Sequence, residues 1–489
     1  MIFRASAFVL WLAVTGTACL AQADFQRYGR TAGPAPADPA IVKVLSAIDP
    51  SRIEQTIQTL VGFGTRNTLT SMDTGLPPGQ GIEAAADWIA GQFAQIAQAC
   101  GGCLEVKRDT FIADPASGQS WAKRVPRPTR ITNIYAIMRG SDPAQARRMY
   151  LVTGHYDSIN SNVFKSWGDT SGAAPGANDD ASGVAVSLEC ARALSTLHLP
   201  ATLVFAAVAG EEQGLVGSAH LAHLAREEGW QLEAVLNNDI VGGNTTPGDM
   251  LQLKDRVRVF SEGVPLGATP EQERRIRGLG EENDSPSRQL SRAIADTART
   301  YFGPQSDAPF TASLISRPDR YGRGGDHTSF NREGFAAVRF TEWREDFNHQ
   351  HQDVVRPATG SQEPVVGDLT EFVDFKYVAK VARLNAAVLA TMAASPGEPV
   401  KVRIDSRMLD NGTTLMWESA PGKADHYEIS WRETTAQDWQ YAENVAAPSA
   451  GGPITITLPV SKDNVIFGVR AVDAAGHRGL IVAPDPPAR

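Results

Sequence analysis

Residues 202–214 read TLVFAAVAGEEQG. The run Thr202–Ala209 has the unbroken apolar character of a strand buried on both faces. Gly210 then punctuates it, and two carboxylates, Glu211 and Glu212, follow directly. Two adjacent negative charges at the end of an apolar strand are unfavourable unless a cation neutralises them. Similar buried runs occupy 234–240 and 336–340. Between them the spacing changes to helical. Val184, Leu188, Ala191 and Leu194 share one face, as do Leu290, Ile294, Ala298 and Tyr301 after Ser and Pro start signals. Strands alternating with helices predict an α/β fold, a mixed and mostly parallel sheet flanked by helices.

Four further motifs accompany Gly210-Glu211-Glu212. They are His155-Tyr156-Asp157, the run Gly176–Gly183 (GANDDASG), Asn237-Asn238-Asp239, and the run Asn348–Asp353 (NHQHQD). Each falls at or just beyond the end of a predicted strand, where an open α/β sheet gathers residues into one crevice. Singly they are ordinary: a His-x-Asp is a surface turn, an Asp-Asp before a helix is an N-cap, and a Glu-Glu is a solvated face. Together they supply the histidines and carboxylates that suit zinc first, then cobalt or manganese. The HExxH zinc signature and the GxSxG nucleophile elbow are both absent from the sequence.

The run HYDS…PGANDDASG…AAVAGEEQGLVGS…LNNDI resembles the secreted di-zinc aminopeptidase family, which also contains glutamate carboxypeptidases and glutaminyl cyclases. The resemblance covers roughly residues 50–390 and implies two zinc ions and peptide substrates. It implies that His155 and Asp239 bind one metal, that Glu212 and a late histidine bind the other, and that Asp179 bridges them. Glu211 is then the general base, and Asp157 holds the His155 tautomer. The family spacing of histidine to aspartate favours His349 as the late ligand, with His351 as the alternative. A segment containing Asp326 and His327 is expected to contact substrate. The implied reaction is removal of N-terminal residues from peptides. The alternatives are a carboxypeptidase or a glutaminyl cyclase on the same scaffold, and an inactive binding protein.

The 489 residues suggest more than one folded unit, and their formal charge of −9 argues against nucleic acid as a partner. Residues 1–23 read as a secretory signal, with Arg4 before an apolar stretch and Ala21-Gln22-Ala23 as a cleavage site, so a periplasmic or secreted protein is expected. No transmembrane segment follows. A lipid anchor on Cys19 is the rival reading. Residues 24–40, rich in Ala, Pro and Gly, read as a poorly ordered lead-in to a peptidase domain spanning 24–396. Cys100 and Cys103 are expected to form a local disulfide and Cys190 to be a core residue. Past Pro396-Gly397 the pattern is β only, which predicts a C-terminal all-β sandwich over 397–489. That segment resembles a fibronectin type III domain, except that Val465 stands where the corner tyrosine belongs. Its expected role is binding a surface or a carbohydrate, or docking on the catalytic domain. The Pro-Gly linker predicts that it is separable.

Overall fold

The apolar runs become an eight-stranded sheet in the structure, a computed structural model that describes residues 22–486. A short strand, β1 (Arg30–Thr31), precedes it in the chain. The sheet is built from β2 (Glu105–Ala113), β3 (Thr129–Met138), β4 (Arg148–His155), β5 (Thr202–Val208), β6 (Gln231–Asn238), β7 (Arg256–Ser261), β8 (Thr311–Ile315) and β9 (Ala337–Thr341). Their order is β2-β3-β5-β4-β6-β9-β7-β8. The four central strands β5, β4, β6 and β9 are mutually parallel, and antiparallel pairs flank them on both sides. The signal-sequence reading lies outside the described residues. Among those described, no helix is long and apolar enough to cross a membrane.

Alternation along each central strand divides the core into two layers. Tyr150, Val152, Phe205, Ala207 and Leu236 pack beneath helices that include Ala181–Leu194 and Phe375–Ala394. Met149, Leu151, Val204, Ala206, Val208 and Val235 face the other way, onto Leu221, Ala222 and Ala225 of helix Val216–Glu227. Both faces are covered, which is why Thr202–Val208 carries no polar alternation. Cys100 and Cys103 form a disulfide at the end of helix Gly81–Ala99, and Cys190 is free and buried.

The C-terminal region is a sandwich of two antiparallel sheets. One contains β10 (Val400–Ile404), β11 (Thr413–Glu418) and β14 (Pro453–Leu458). The other contains β12 (His426–Glu433), β13 (Tyr441–Ala446) and β15 (Val465–Val472). Leu415, Trp417, Tyr427, Ile429, Trp431, Phe467 and Val469 fill the space between them.

Two features differ from the sequence expectation. The lead-in is not loose: β1 pairs antiparallel with β13, and the Trp431 indole N–H donates to the Phe25 carbonyl at 2.9 Å. The segment at the start of the assigned peptidase region therefore packs with the C-terminal sandwich. Low complexity hid this, because a two-residue edge strand has no periodicity to read. Nor does the sandwich hang from a free linker. Arg432 Nη2 donates to both carboxylate oxygens of Asp284, at 2.8 and 2.9 Å, both side chains being almost fully buried. The Arg292 guanidinium donates to the Gln437 carbonyl at 2.7 Å, and Arg470 reaches Asp296 at 3.1 Å. Asp284→Ala leaves Arg432 and Arg292 buried with no carboxylate between them. It is expected to destabilise the protein by about 3–5 kcal/mol. Chemical denaturation followed by tryptophan fluorescence measures this, and an unchanged midpoint would mean that the two units do not depend on each other.

Candidate metal centre

Parallel strands point their carboxyl ends to one edge of the sheet. The chain leaves β4 for β5 on one side and later places β6 on the other, so the crevice opens where the strand order reverses. His155 ends β4, Glu211 and Glu212 follow β5, and Asp239 follows β6. Asp179 stands just before helix Ala181–Leu194, and His351 lies on the loop after β9. Gly183 allows that helix to approach β6, since a Cβ there would fall 2.1 Å from the Asn238 carbonyl oxygen.

These residues form three trios: His155 with Asp179 and Asp239, His351 with Asp179 and Glu212, and His155 with Glu211 and Glu212; the first two share the Asp179 carboxylate. His155 Nε2 lies 3.0 Å from Asp179 Oδ1 and 3.9 Å from Asp239 Oδ1. His351 Nε2 lies 2.8 Å from Asp179 Oδ2 and 2.9 Å from Glu212 Oε1. In each trio the donor atoms fall within 4.8 Å of one another. Asp179, Glu212, Asp239 and His155 are buried, while Glu211 is partly open to the cleft. The donor set fits divalent cations. Glu212 Oε1 and His351 Nε2 are buried yet lack a hydrogen-bond partner of good geometry. Burial pushes the carboxyls of Glu211 and Glu212 above the ordinary range. Burial opposes a charged His351 ring, but Glu212 and Asp179 outweigh it and hold its pKa well above the usual value. A metal ion bound here would take the place of a ring proton in answering those carboxylates.

The surroundings hold these groups in position. Asp157 Oδ1 is 3.4 Å from His155 Nδ1, and its carboxylate accepts the backbone N–H groups of Glu211 at 3.3 Å and Glu212 at 3.2 Å. Asp157 thus orients the ring and the glutamate pair together. Asp180 is the N-cap: it accepts from Gly183 N at 2.9 Å and from His155 N at 3.0 Å. The peptide bond between Asp179 and Asp180 is cis.

Sequence reasoning missed three supporting residues. Asp368 accepts from the backbone of Asn178 at 2.7 Å and Asp179 at 2.8 Å. Arg66, fully buried, donates to the carbonyls of Tyr156, Pro175 and Gly176 at 2.6–2.8 Å and so ties down the loops behind the centre. Arg339, also fully buried, pairs with Asp239 at 2.8 Å. Only the last left a legible signal, as a charge inside the apolar run Ala336–Phe340.

Three expected positions are corrected. His349 is in none of the three trios. Its ring stacks on Phe372 with centroids 3.5 Å apart, and Nδ1 faces Thr246 Oγ1 at 3.1 Å. Residues two apart share a face only in an extended strand. Here Phe347–His349 is a 3-10 turn and His351 has φ of 54°, so the two rings diverge. His327 and Asp326 do not line the cleft. The start of helix His327–Arg332 turns both inward, where His327 Nε2 lies 2.9 Å from the Pro318 carbonyl oxygen. Burial pushes Asp326 up to about 7. Their neighbours Gly324 and Thr328 line the cleft instead.

The cleft above the centre has a volume of about 730 Å³ and includes Phe164, Trp167, Leu215, Arg320 and Arg323. A larger cavity of about 1050 Å³ lies elsewhere, beside the Cys100–Cys103 disulfide, and contains no histidine–carboxylate cluster. Trp343 stays out of this cleft, with the Arg256 guanidinium 5.6 Å from its ring centroid.

A family model described as Peptidase family M28 matches residues 133–363. A probable zinc metalloprotease of Pyricularia oryzae is 42% identical over 459 residues, which cover 92% of this chain and 85% of that protein. A second probable zinc metalloprotease, of Leptosphaeria maculans, is 41% identical over 455 residues, covering 93% and 98%. Among solved structures, the LapA aminopeptidase of Legionella pneumophila aligns over 75% of this chain and 78% of that one, with 18% identity and a TM-score of 0.48.

Proposed function

Because the chain belongs to peptidase family M28 as a zinc metallopeptidase, we propose that it is a di-zinc aminopeptidase that removes N-terminal residues from peptides. The observation that carries this reading is the sharing of Asp179, whose two oxygens face His155 and His351 separately. His155, Asp179 and Asp239 would hold one ion; Asp179, Glu212 and His351 would hold the other. A full set of donors for each supports two metals over the single zinc that the cyclase reading needs. Zinc held by these residues would supply a lowered pKa for a bound water and polarisation of a substrate carbonyl.

The chain's own residues supply the rest. Glu211, placed beside Glu212 and open to the cleft, takes the proton of the attacking water and returns it to the leaving amine. Asp157 keeps the His155 ring and the Glu211–Glu212 backbone in register as it does so. The chain acts in an oxidising compartment, periplasmic or extracellular, a reading supported by the Cys100–Cys103 disulfide. The C-terminal sandwich, fibronectin type III-like, serves chiefly to brace the catalytic unit, a role supported by the buried Arg432–Asp284 pair.

The test is elemental analysis of the purified protein together with aminoacyl chromogenic substrates, free and N-acetylated. The expected result is close to two zinc ions per chain, activity on free amines only, and loss of that activity on chelation with recovery on adding zinc. Preference for the blocked substrates would sink the aminopeptidase reading. Full activity in metal-free protein would sink the metal mechanism.

A further inference from the structure

Away from the histidine–carboxylate clusters, the charged side chains lining the cleft are Arg124, Arg320, Arg323, Arg332 and Asp319. Asp319 is 4% exposed and already engaged, with Arg320 at 3.0 Å and Arg339 at 3.4 Å. Apart from the clusters and Glu211, every solvent-facing charge on the walls is therefore a guanidinium, in a chain whose formal charge is −9. Arg320 is paired with Asp319 and Glu345, but the set as a whole is not balanced by local carboxylates. Arg320 and Arg323 share Glu345, at 2.6 and 3.4 Å, and Arg258 claims the same carboxylate at 2.9 Å. Arg332, exposed at the end of its helix, has no ion-pair partner among the described residues, and Arg124 meets only the Trp167 ring, 5.0 Å from its centroid. Zinc at the centre would use the negative charge of Asp179, Glu212 and Asp239, leaving the field of the walls positive.

We propose that this cleft selects peptides carrying a carboxylate near the scissile bond, which the wall formed by Arg320, Arg323 and Arg332 recognises. The inference rests on the peptidase reading and names its substrate class. Guanidiniums take carboxylates through paired N–H donors, and a partly desolvated cleft strengthens the attraction. Two sources supply the same chemistry: an acidic side chain, or the C-terminal carboxylate of a dipeptide.

Three dipeptides separate them: Ala-Glu-amide, Ala-Gln-amide, and Ala-Gln with a free C-terminus, each followed by release of alanine. One or both anionic peptides are expected to exceed Ala-Gln-amide by about tenfold in kcat/KM, mainly through KM. Which of them gains identifies the source. The advantage should shrink as salt rises from about 0.05 M to about 0.5 M. It should also collapse in Arg332→Glu, an exposed position where folding is not at stake, and fall in Arg323→Ala. Zinc content and melting temperature are measured for both variants. Equal or faster cleavage of Ala-Gln-amide overturns the inference and leaves the peptidase reading standing. An anionic preference that survives both substitutions also overturns it. Release from none of the three removes the aminopeptidase reading and the inference with it.

Discussion

Glu211→Gln is expected to lower kcat by about 10²–10⁴-fold while zinc content stays at the wild-type level. The substitution keeps the size of the side chain and removes its ability to accept a proton. Glu211 and Glu212 are neighbours in sequence but differ in surroundings. Glu212 is buried with an oxygen 2.9 Å from His351 Nε2, whereas Glu211 is partly open to the cleft where a substrate must lie. Glu212→Gln is therefore expected to lose metal as well as rate. Measuring kcat and zinc stoichiometry on both variants separates the roles. If Glu211→Gln emptied a site and Glu212→Gln kept both metals, the base and the ligand would be exchanged.

His351→Ala is expected to lose one equivalent of zinc and nearly all activity, and His349→Ala to keep both metals. Altering a residue that merely supports a ligand typically weakens metal affinity by about 10–100-fold, so loss of the ligand itself should cost more. His351 Nε2 lies close to both Asp179 Oδ2, at 2.8 Å, and Glu212 Oε1, at 2.9 Å. His349 has its ring against Phe372 and its nitrogens near Thr246 Oγ1 and the Val365 carbonyl, so its removal opens a gap in packing. The expected consequence is a lower melting temperature with activity retained at moderate temperature. Zinc analysis and a thermal melt on the two single variants decide this. Loss of zinc from His349→Ala with retention in His351→Ala would reverse the assignment.

Much of the molecule is legible without coordinates. Buried strands announce themselves where apolar runs end in motif residues, as at Thr202–Val208 and Gln231–Asn238. Helix Ala181–Leu194 follows from its spacing and its Asp180 cap. His155, Asp179, Glu212 and Asp239 could be named because each stands at the end of a regular element, and such elements carry their ends to a shared edge.

Other residues could not be named, because their roles depend on contacts distant in sequence. Arg339 serves Asp239 across neighbouring strands, Asp368 holds Asn178 and Asp179 from 189 or more residues away, and Arg30–Thr31 completes a sheet whose other strands lie beyond residue 400. The choice between His349 and His351 belongs to the same class. The sequence, through the family it resembles, pointed to a late histidine in Asn348–Asp353 beside the ends of β4, β5 and β6. Only the tertiary structure places His351 rather than His349 beside Asp179 and Glu212, because a 3-10 turn and a single left-handed φ rotate the two rings apart, and neither is encoded by a hydrophobic period or a short motif.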